Sequence, residues 1–453
     1  MSAQTKDMTK GEPAKLIFMF TLPLIAGNMF QQLYAFVDTL IVGRFLGVEA
    51  LAAVGCTGSL MFLMLGFVIG TTSGFAIYTG QRFGAKDEAG LRKSVVSCTY
   101  LSLITGAVLT AIGLLMVRWL LIFMQTPPEI LDGAYSFISI IYAGIIVFVI
   151  LNMQTNIIRA LGDSKTPTYI MAVGLTINII LEPVAIVLLG WGIQGAALAT
   201  VFSQFIGIVI TTVYIIKKLP ILRPRREDWR WDGKNIKAHL RLGMPMGFQT
   251  SIIAIGAIMI QIALNKLGPI AVASFAAAQK IDAVALMPMM SFGTAMAAYT
   301  AQNYGARKFA RIEEGVKKCI YMSGGFSIFA AVIIILFGSN IIYLFVGPGQ
   351  DEVIAYGWQY LLLNGIFYWI LALLFIYRFT LQGLGKSTVP TIAGFMELIM
   401  RAAAAIWLVD IWGYAGACLS SPLAWLGAAV PLGISYYKTR RVLRRRAEAE
   451  VSA

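Results

Sequence analysis

The chain has 453 residues, 58% of them hydrophobic and only 13% charged, with a mean hydropathy of +0.77 and a formal net charge of +14. A soluble domain carries about 25% charged residues, so this composition excludes a water-soluble globular protein: the apolar surface exceeds what one core buries. The positive charge lies in a topological pattern and forms no patch for nucleic acid, which is not an expected partner.

A bilayer-spanning helix needs roughly 20 apolar residues. About twelve spans are read in chain order: 15–43, 51–80, 94–122, 132–158, 166–190 and 193–216, then 243–265, 271–301, 318–346, 354–382, 388–411 and 413–437. Lys and Arg gather at Lys6–Lys15, Arg82–Lys93, Arg159–Lys165, Lys217–Arg241, Arg307–Lys318, Arg378–Lys386 and Lys438–Arg446, which is every second connection. The alternate connections hold little beyond Arg44, Arg118 and Lys266. By the positive-inside rule the expectation is a multi-pass protein of the plasma (inner) membrane with both termini cytoplasmic. The first apolar stretch is too long for a signal-peptide core and has no small-residue cleavage site, so it is expected to stay as the first helix.

The two halves are copies. Y-T-G-Q-R-F-G-A-K at Tyr78–Lys86 recurs 221 residues later as Y-T-A-Q-N-Y-G-A-R at Tyr299–Arg307, and W-G-I-Q-G-A-A at Trp191 recurs as W-G-Y-A-G-A-C at Trp412. Six spans per copy is an even number, which makes a parallel repeat of the kind that transporters use when one half rocks against the other. The expected organisation is a six-helix lobe over 1–217, an interfacial linker over 218–242, a second six-helix lobe over 243–437 and a basic tail over 438–453. Trp229, Trp231, Ile236 and Leu240 suit a surface-lying helix in the linker, where the lone His239 is expected to be interfacial or solvated.

Ionisable side chains inside spans cost at least ~2.5 kcal/mol on insertion scales, so each is a functional candidate. These are Asp38, Glu182, Lys280, Asp282, Glu397 and Arg401. Asp38 lies about two turns before the outer end of the first span, and Glu182 at a similar distance from the end of the fifth. Asn178 shares a helix face with Glu182, and Thr200 lies some seven residues into the sixth span. Three helices thus bring these oxygens to one depth, roughly 10 Å below the surface at 1.5 Å per residue. Such ligands suit a hard cation such as Na⁺, and two neighbouring carboxylates in low dielectric equally suit proton uptake and release. The second-half counterparts are Ile260, Arg401, Ala405 and Ser421 for Asp38, Asn178, Glu182 and Thr200, so ion coupling is expected in the first half only. Glu397 precedes Arg401 by four residues, the favourable order for an intrahelical ion pair. Lys280 and Asp282 face differently and each needs another partner. Pro23 lies fifteen residues before Asp38 and is a candidate hinge.

Cys56, Cys98, Cys319 and Cys418 lack metal-ligand spacing, no Gly-rich nucleotide loop is present, and no His/Cys cluster or Ser–His–Asp arrangement points to an enzyme. No cofactor is expected beyond the coupling ion, H⁺ or Na⁺.

The strings P-L-I-A-G-N-M-F-Q-Q-L-Y-A-F-V-D-T-L-I-V-G at Pro23–Gly43, R-A-L-G-D-S-K-T-P at Arg159–Pro167, N-I-I-L-E-P at Asn178–Pro183 and A-Q-N-Y-G-A at Ala301–Ala306 together resemble the multidrug and toxic compound extrusion (MATE) family, in particular its DinF-like branch. The resemblance implies twelve helices in two six-helix lobes around a central cavity, and export of cationic or amphipathic compounds in exchange for H⁺ or Na⁺. It implies coupling roles for the residues matching Asp38, Asn178, Glu182 and Thr200, and for Asn156 at the end of the fourth span. A monomer is the family expectation. Glu182 stands where Asp is more usual, and Gln249 where the NorM-like branch carries an acid, which argues against a second-lobe cation site. Met287, Met289, Met290 and Met296 could supply an adaptable wall for varied substrates or plain helix packing. A flippase for lipids or lipid-linked sugars is the rival reading. It calls for several cavity Arg or Lys, and few intramembrane basic residues stand beyond Lys280 and Arg401.

Overall fold

The computed structural model describes residues 6–451, and among these every regular element is helical, with no strand. This is what a chain dissolved in lipid must do, because only a helix satisfies its backbone groups within one segment. The first half forms α1 (Pro13–Leu46), α2 (Val48–Cys56), α3 (Gly58–Gly84), α4 (Glu88–Phe123), α5 (Pro128–Ala143), α6 (Ile145–Ala160), α7 (Lys165–Pro183) and α8 (Gly192–Lys218). The second forms α9 (Gly233–Leu267), α10 (Pro269–Gly305), α11 (Phe309–Val346), α12 (Asp351–Gly365), α13 (Tyr368–Gly383), α14 (Thr388–Ala403), α15 (Val409–Trp412), α16 (Tyr414–Cys418) and α17 (Ser420–Val451).

Ten of the helical segments are long and apolar enough to cross a membrane. The pairs α5–α6 and α12–α13 pass the same criterion together but are bent by 46° and 49°, and with each pair taken as one span the total is twelve. The predicted fourth and tenth spans are therefore broken at equivalent places. At the first break Gly144 lets α8 come close, since a Cβ there would lie 2.6 Å from Val201 Cγ2.

The chain divides into two compact units, Met1–Asp7 with Pro23–Gly247, and Met8–Leu22 with Phe248–Ala453. Their internal packing repeats. In the first unit α3 and α4 pack on α6, α7 on α8, and α6 on α8; in the second α10 and α11 pack on α13, α14 on α17, and α13 on α17. Local geometry repeats as well. A π-helical turn follows α7 at Val184–Leu188 and another follows α14 at Ala404–Leu408. Lys86 and Arg307, which end the duplicated Y-T-x-Q motif, both take left-handed backbone with φ of 58° and 57° and stop α3 and α10. Gly162 and Gly385, 223 residues apart, are left-handed at 87° and 79°, a conformation that glycine adopts without strain.

The linker corrects the sequence reading. No separate surface helix forms. Two short 3₁₀ turns, Pro220–Leu222 and Arg226–Trp229, lead directly into α9 at Gly233, ten residues before the predicted start of the seventh span. Asp232 begins that helix by accepting hydrogen bonds from the backbone N–H of Lys234 and Asn235, each at 3.1 Å. Ile236 is buried with Leu219 and Leu222, while Trp229 and Trp231 stay exposed. His239 is not solvated: it is fully buried, with Nε2 2.8 Å from Ser94 Oγ and Nδ1 2.8 Å from the Asn235 carbonyl. The early start of α9 is the cause, because it lays this segment on α3. A Cβ on Gly74 would fall 2.5 Å from Gly243 Cα, so two glycines permit the backbones to touch.

Candidate ion-coupling site

In the first unit the polar residues of three helices meet. Tyr34 and Asp38 are one turn apart on α1 and share a face. Asn178 and Glu182 do the same on α7, just before Pro183 and the π-turn; such turns recur at functional positions. The tight antiparallel packing of α7 on α8 brings in Thr200. The Tyr34 hydroxyl donates to Thr200 Oγ1 at 2.9 Å, and Asn178 Nδ2 lies 3.5 Å from the same oxygen. Thr200 thus links the face of α1 that carries Asp38 to the face of α7 that carries Glu182.

Burial makes this arrangement costly as it stands. Glu182 is 0% exposed, and neither of its carboxyl oxygens has a hydrogen-bond partner; nor has Asp38 Oδ1. A buried carboxylate without compensation is strongly unfavourable, so a proton or a cation relieves the pair. Acid, amide and hydroxyl oxygens suit a hard cation, and two neighbouring carboxyls suit proton uptake and release. Four of the predicted site residues, Asp38, Asn178, Glu182 and Thr200, are thus brought together. Asn156 donates instead to Thr72 Oγ1 (3.1 Å) and Ser73 Oγ (3.3 Å) on α3 and accepts from Arg159 (3.1 Å). Tyr34 was missing from the sequence reading, although its place four residues before Asp38 was a usable signal. Replacing Tyr34 by Phe removes one hydrogen bond, worth about 1 kcal/mol. If the cluster takes up an ion, the expected result is a roughly fivefold rise in the ion concentration needed to half-saturate it, with folding unchanged; an unaltered midpoint would show that the hydroxyl plays no part.

The comparisons with known proteins bear on what this site serves. The MatE family model matches twice, over residues 23–184 and 245–407, once in each half. The chain belongs to the MatE family. It is 28% identical over 433 residues to the probable multidrug resistance protein YpnP of Bacillus subtilis, covering 94% of this chain and 93% of that one. It is 25% identical to the DNA damage-inducible protein F of Escherichia coli, covering 87% and 88%. The crystal structure of MATE in complex with MaL6 superposes with a TM-score of 0.90 at 23% identity, over 97% of this chain and 99% of that one, which supports the all-helical, two-lobed fold. The protein is therefore a multi-span membrane transporter of the MATE multidrug efflux family and not an enzyme.

The second unit of this MATE protein holds its polar residues differently. Asp282 is buried and accepts hydrogen bonds from the hydroxyls of Tyr360 (3.1 Å) and Tyr368. Lys280 is exposed on α10. Glu397 does not take Arg401 as its ion-pair partner: it pairs with Arg378 of α13, and both side chains are buried. The correction has a steric reason. Arg378 had been counted with a basic connection, but α13 carries it into the packed interior, where Glu397 faces it. Arg401 is half-buried, its side chain lying against Gly256 of α9. Gln249 donates to the Pro390 carbonyl (2.9 Å) and accepts from Gln382 (3.0 Å), so its amide ties α9 to α14 and α13. Of the four methionines, Met287, Met289 and Met296 are buried in packing and Met290 is exposed.

Proposed function

We propose that this protein is a secondary active antiporter that exports cationic or amphipathic xenobiotics by alternating access, in exchange for H⁺ or Na⁺ taken up at Asp38 and Glu182. The supporting observation is the buried Glu182 and half-buried Asp38, three of whose carboxyl oxygens have no hydrogen-bond partner, on helices linked through Asn178, Thr200 and Tyr34. Drug leaves as the ion binds, and reciprocal linkage between the two binding events supplies the driving force. The second unit has no equivalent pair, its counterparts being Ile260, Arg401, Ala405 and Ser421. The drug-like substrate class follows the names of the relatives and the drug-named family. The bilayer is the inner membrane with both termini cytoplasmic, on the charge pattern of the connections, and the transporter works as a monomer.

The test is efflux of a fluorescent organic cation from proteoliposomes under a pH gradient or a Na⁺ gradient imposed separately. Export driven by one gradient names the coupling ion. Flux under neither gradient, with labelled lipid moving instead, would replace the exporter by a flippase.

Pro23 is the hinge in this cycle. It lies inside α1 where the chain passes from one compact unit to the other, and its carbonyl accepts from Thr168 Oγ1 of α7 at 2.7 Å. The proline on the Asp38 helix is thus tied to the helix that carries Glu182. Pro23→Ala restores a helical hydrogen-bond donor and removes the freedom to bend. Transport is expected to fall roughly tenfold, a change of about 1.4 kcal/mol in the effective barrier, with expression and monodispersity retained. Unchanged transport would remove the hinge.

A further inference from the structure

Outside the coupling site, one feature of the first unit is built and not used by transport chemistry. An open cleft of about 940 Å³ lies between the start of α4 and the linker, lined by Arg92, Lys93, Arg230, Trp231, Lys234 and Lys237 among others. Its wall is fixed from inside. Asp228, buried, accepts from Arg92 Nε at 3.0 Å and from the Arg225 backbone at 2.8 Å, and Tyr100 packs its ring against Trp229 and Trp231 while donating to the Trp229 carbonyl at 2.9 Å. The acids at the cleft are engaged: Asp228 by Arg92, Asp232 as the cap of α9, and Glu227 with Arg225 at 3.7 Å. Lys93, Arg230, Lys234 and Lys237 are exposed and form no ion pair among the described residues. Both α4 and α9 begin at the cleft as membrane spans, so it stands where apolar helix gives way to polar surface. The exposed Trp231 on its rim is the side chain that settles at that boundary.

We propose that this cleft binds the phosphate-bearing headgroup of an anionic phospholipid from the adjoining leaflet. The chemistry is a phosphodiester received by four unpaired cations, with acyl chains running along the apolar flanks of α4 and α9. Basic pockets at helix ends recognise anionic lipids in this way, at about a factor of five in affinity per Lys or Arg near the surface. The inference does not depend on the drug-export reading, because it concerns lipid held by the linker and not cargo carried by the site.

The experiment uses the full chain in detergent, titrated with phosphatidylglycerol, with phosphatidylcholine of the same acyl chains, and with glycerol phosphate, the bound species being counted by native mass spectrometry. Wild type should prefer phosphatidylglycerol. The triple variant Arg230→Gln, Lys234→Gln, Lys237→Gln should bind it ~100-fold more weakly, and Lys237→Gln alone about fivefold more weakly, which covers the case of a triple variant that fails to fold. Arg441→Gln, Arg445→Gln, Arg446→Gln, in the basic tail, should bind like wild type. Full affinity in the cleft variants, or an equal loss in the tail variant, would overturn the site. Glycerol phosphate binding as tightly as the lipid would make the ligand a soluble phosphate and overturn the lipid assignment.

Discussion

Asp38→Asn and Glu182→Gln should each lower gradient-driven export by roughly 100-fold, the upper part of the range for a coupling free energy of about 1–3 kcal/mol. The two substitutions keep shape but replace a carboxylate by a neutral amide, removing a charge and one acceptor oxygen from the first unit. With one acid gone, the remaining carboxyl has no like-charged neighbour, so binding of the ion relieves only the burial of a single charge. The outcome separates the coupling ions. If Na⁺ couples, both variants lose saturable binding of radiolabelled sodium as well as transport. If H⁺ couples, sodium binding is absent in wild type too, and each variant behaves as a permanently neutralised acid, still able to exchange drug down its gradient but unable to export against it. Either variant exporting at the wild-type rate under both gradients would remove the first-unit pair from the mechanism. Thr200→Ala, which deletes only a neutral ligand, should cost less than either acid.

The difference between the two halves explains what could be seen in the chain beforehand. Apolar runs of span length indicated about twelve spans, and the duplicated strings indicated that the two halves repeat, as the matching helix pairs in the two units do. The coupling residues were legible because each helix places i and i+4 on one face: Asn178 with Glu182 was recognised, and Tyr34 with Asp38 could have been. What escaped were contacts between distant segments. Nothing in sequence says that α9 starts at Gly233 and buries His239 against Ser94, because that depends on the close approach of α3 and α9 that glycines at 74 and 243 allow. Arg378 was assigned to a basic connection for the same reason: its partner is on the following span, nineteen residues away.

That pair carries the largest expected effect on stability. Arg378 and Glu397 join α13 to α14 with both side chains buried. Breaking a buried ion pair by removing one partner typically costs about 3–5 kcal/mol, because the other charge stays desolvated and uncompensated. Glu397→Ala should therefore lower the thermal midpoint of the purified transporter markedly and reduce its yield. The double variant Arg378→Met, Glu397→Leu tests the cause. It removes both charges and fills the space with apolar side chains, for which neutral or even increased stability is the usual result. If the pair is a structural clasp, the double variant regains stability and retains gradient-driven export, since Asp38 and Glu182 are untouched. If the double variant is stable yet transports no drug, the charges serve the transport cycle, and the second unit has a working polar site after all. A Glu397→Ala protein as stable as wild type would mean that Arg378 reaches water once its partner is gone, and that α13 and α14 are held together by apolar packing alone.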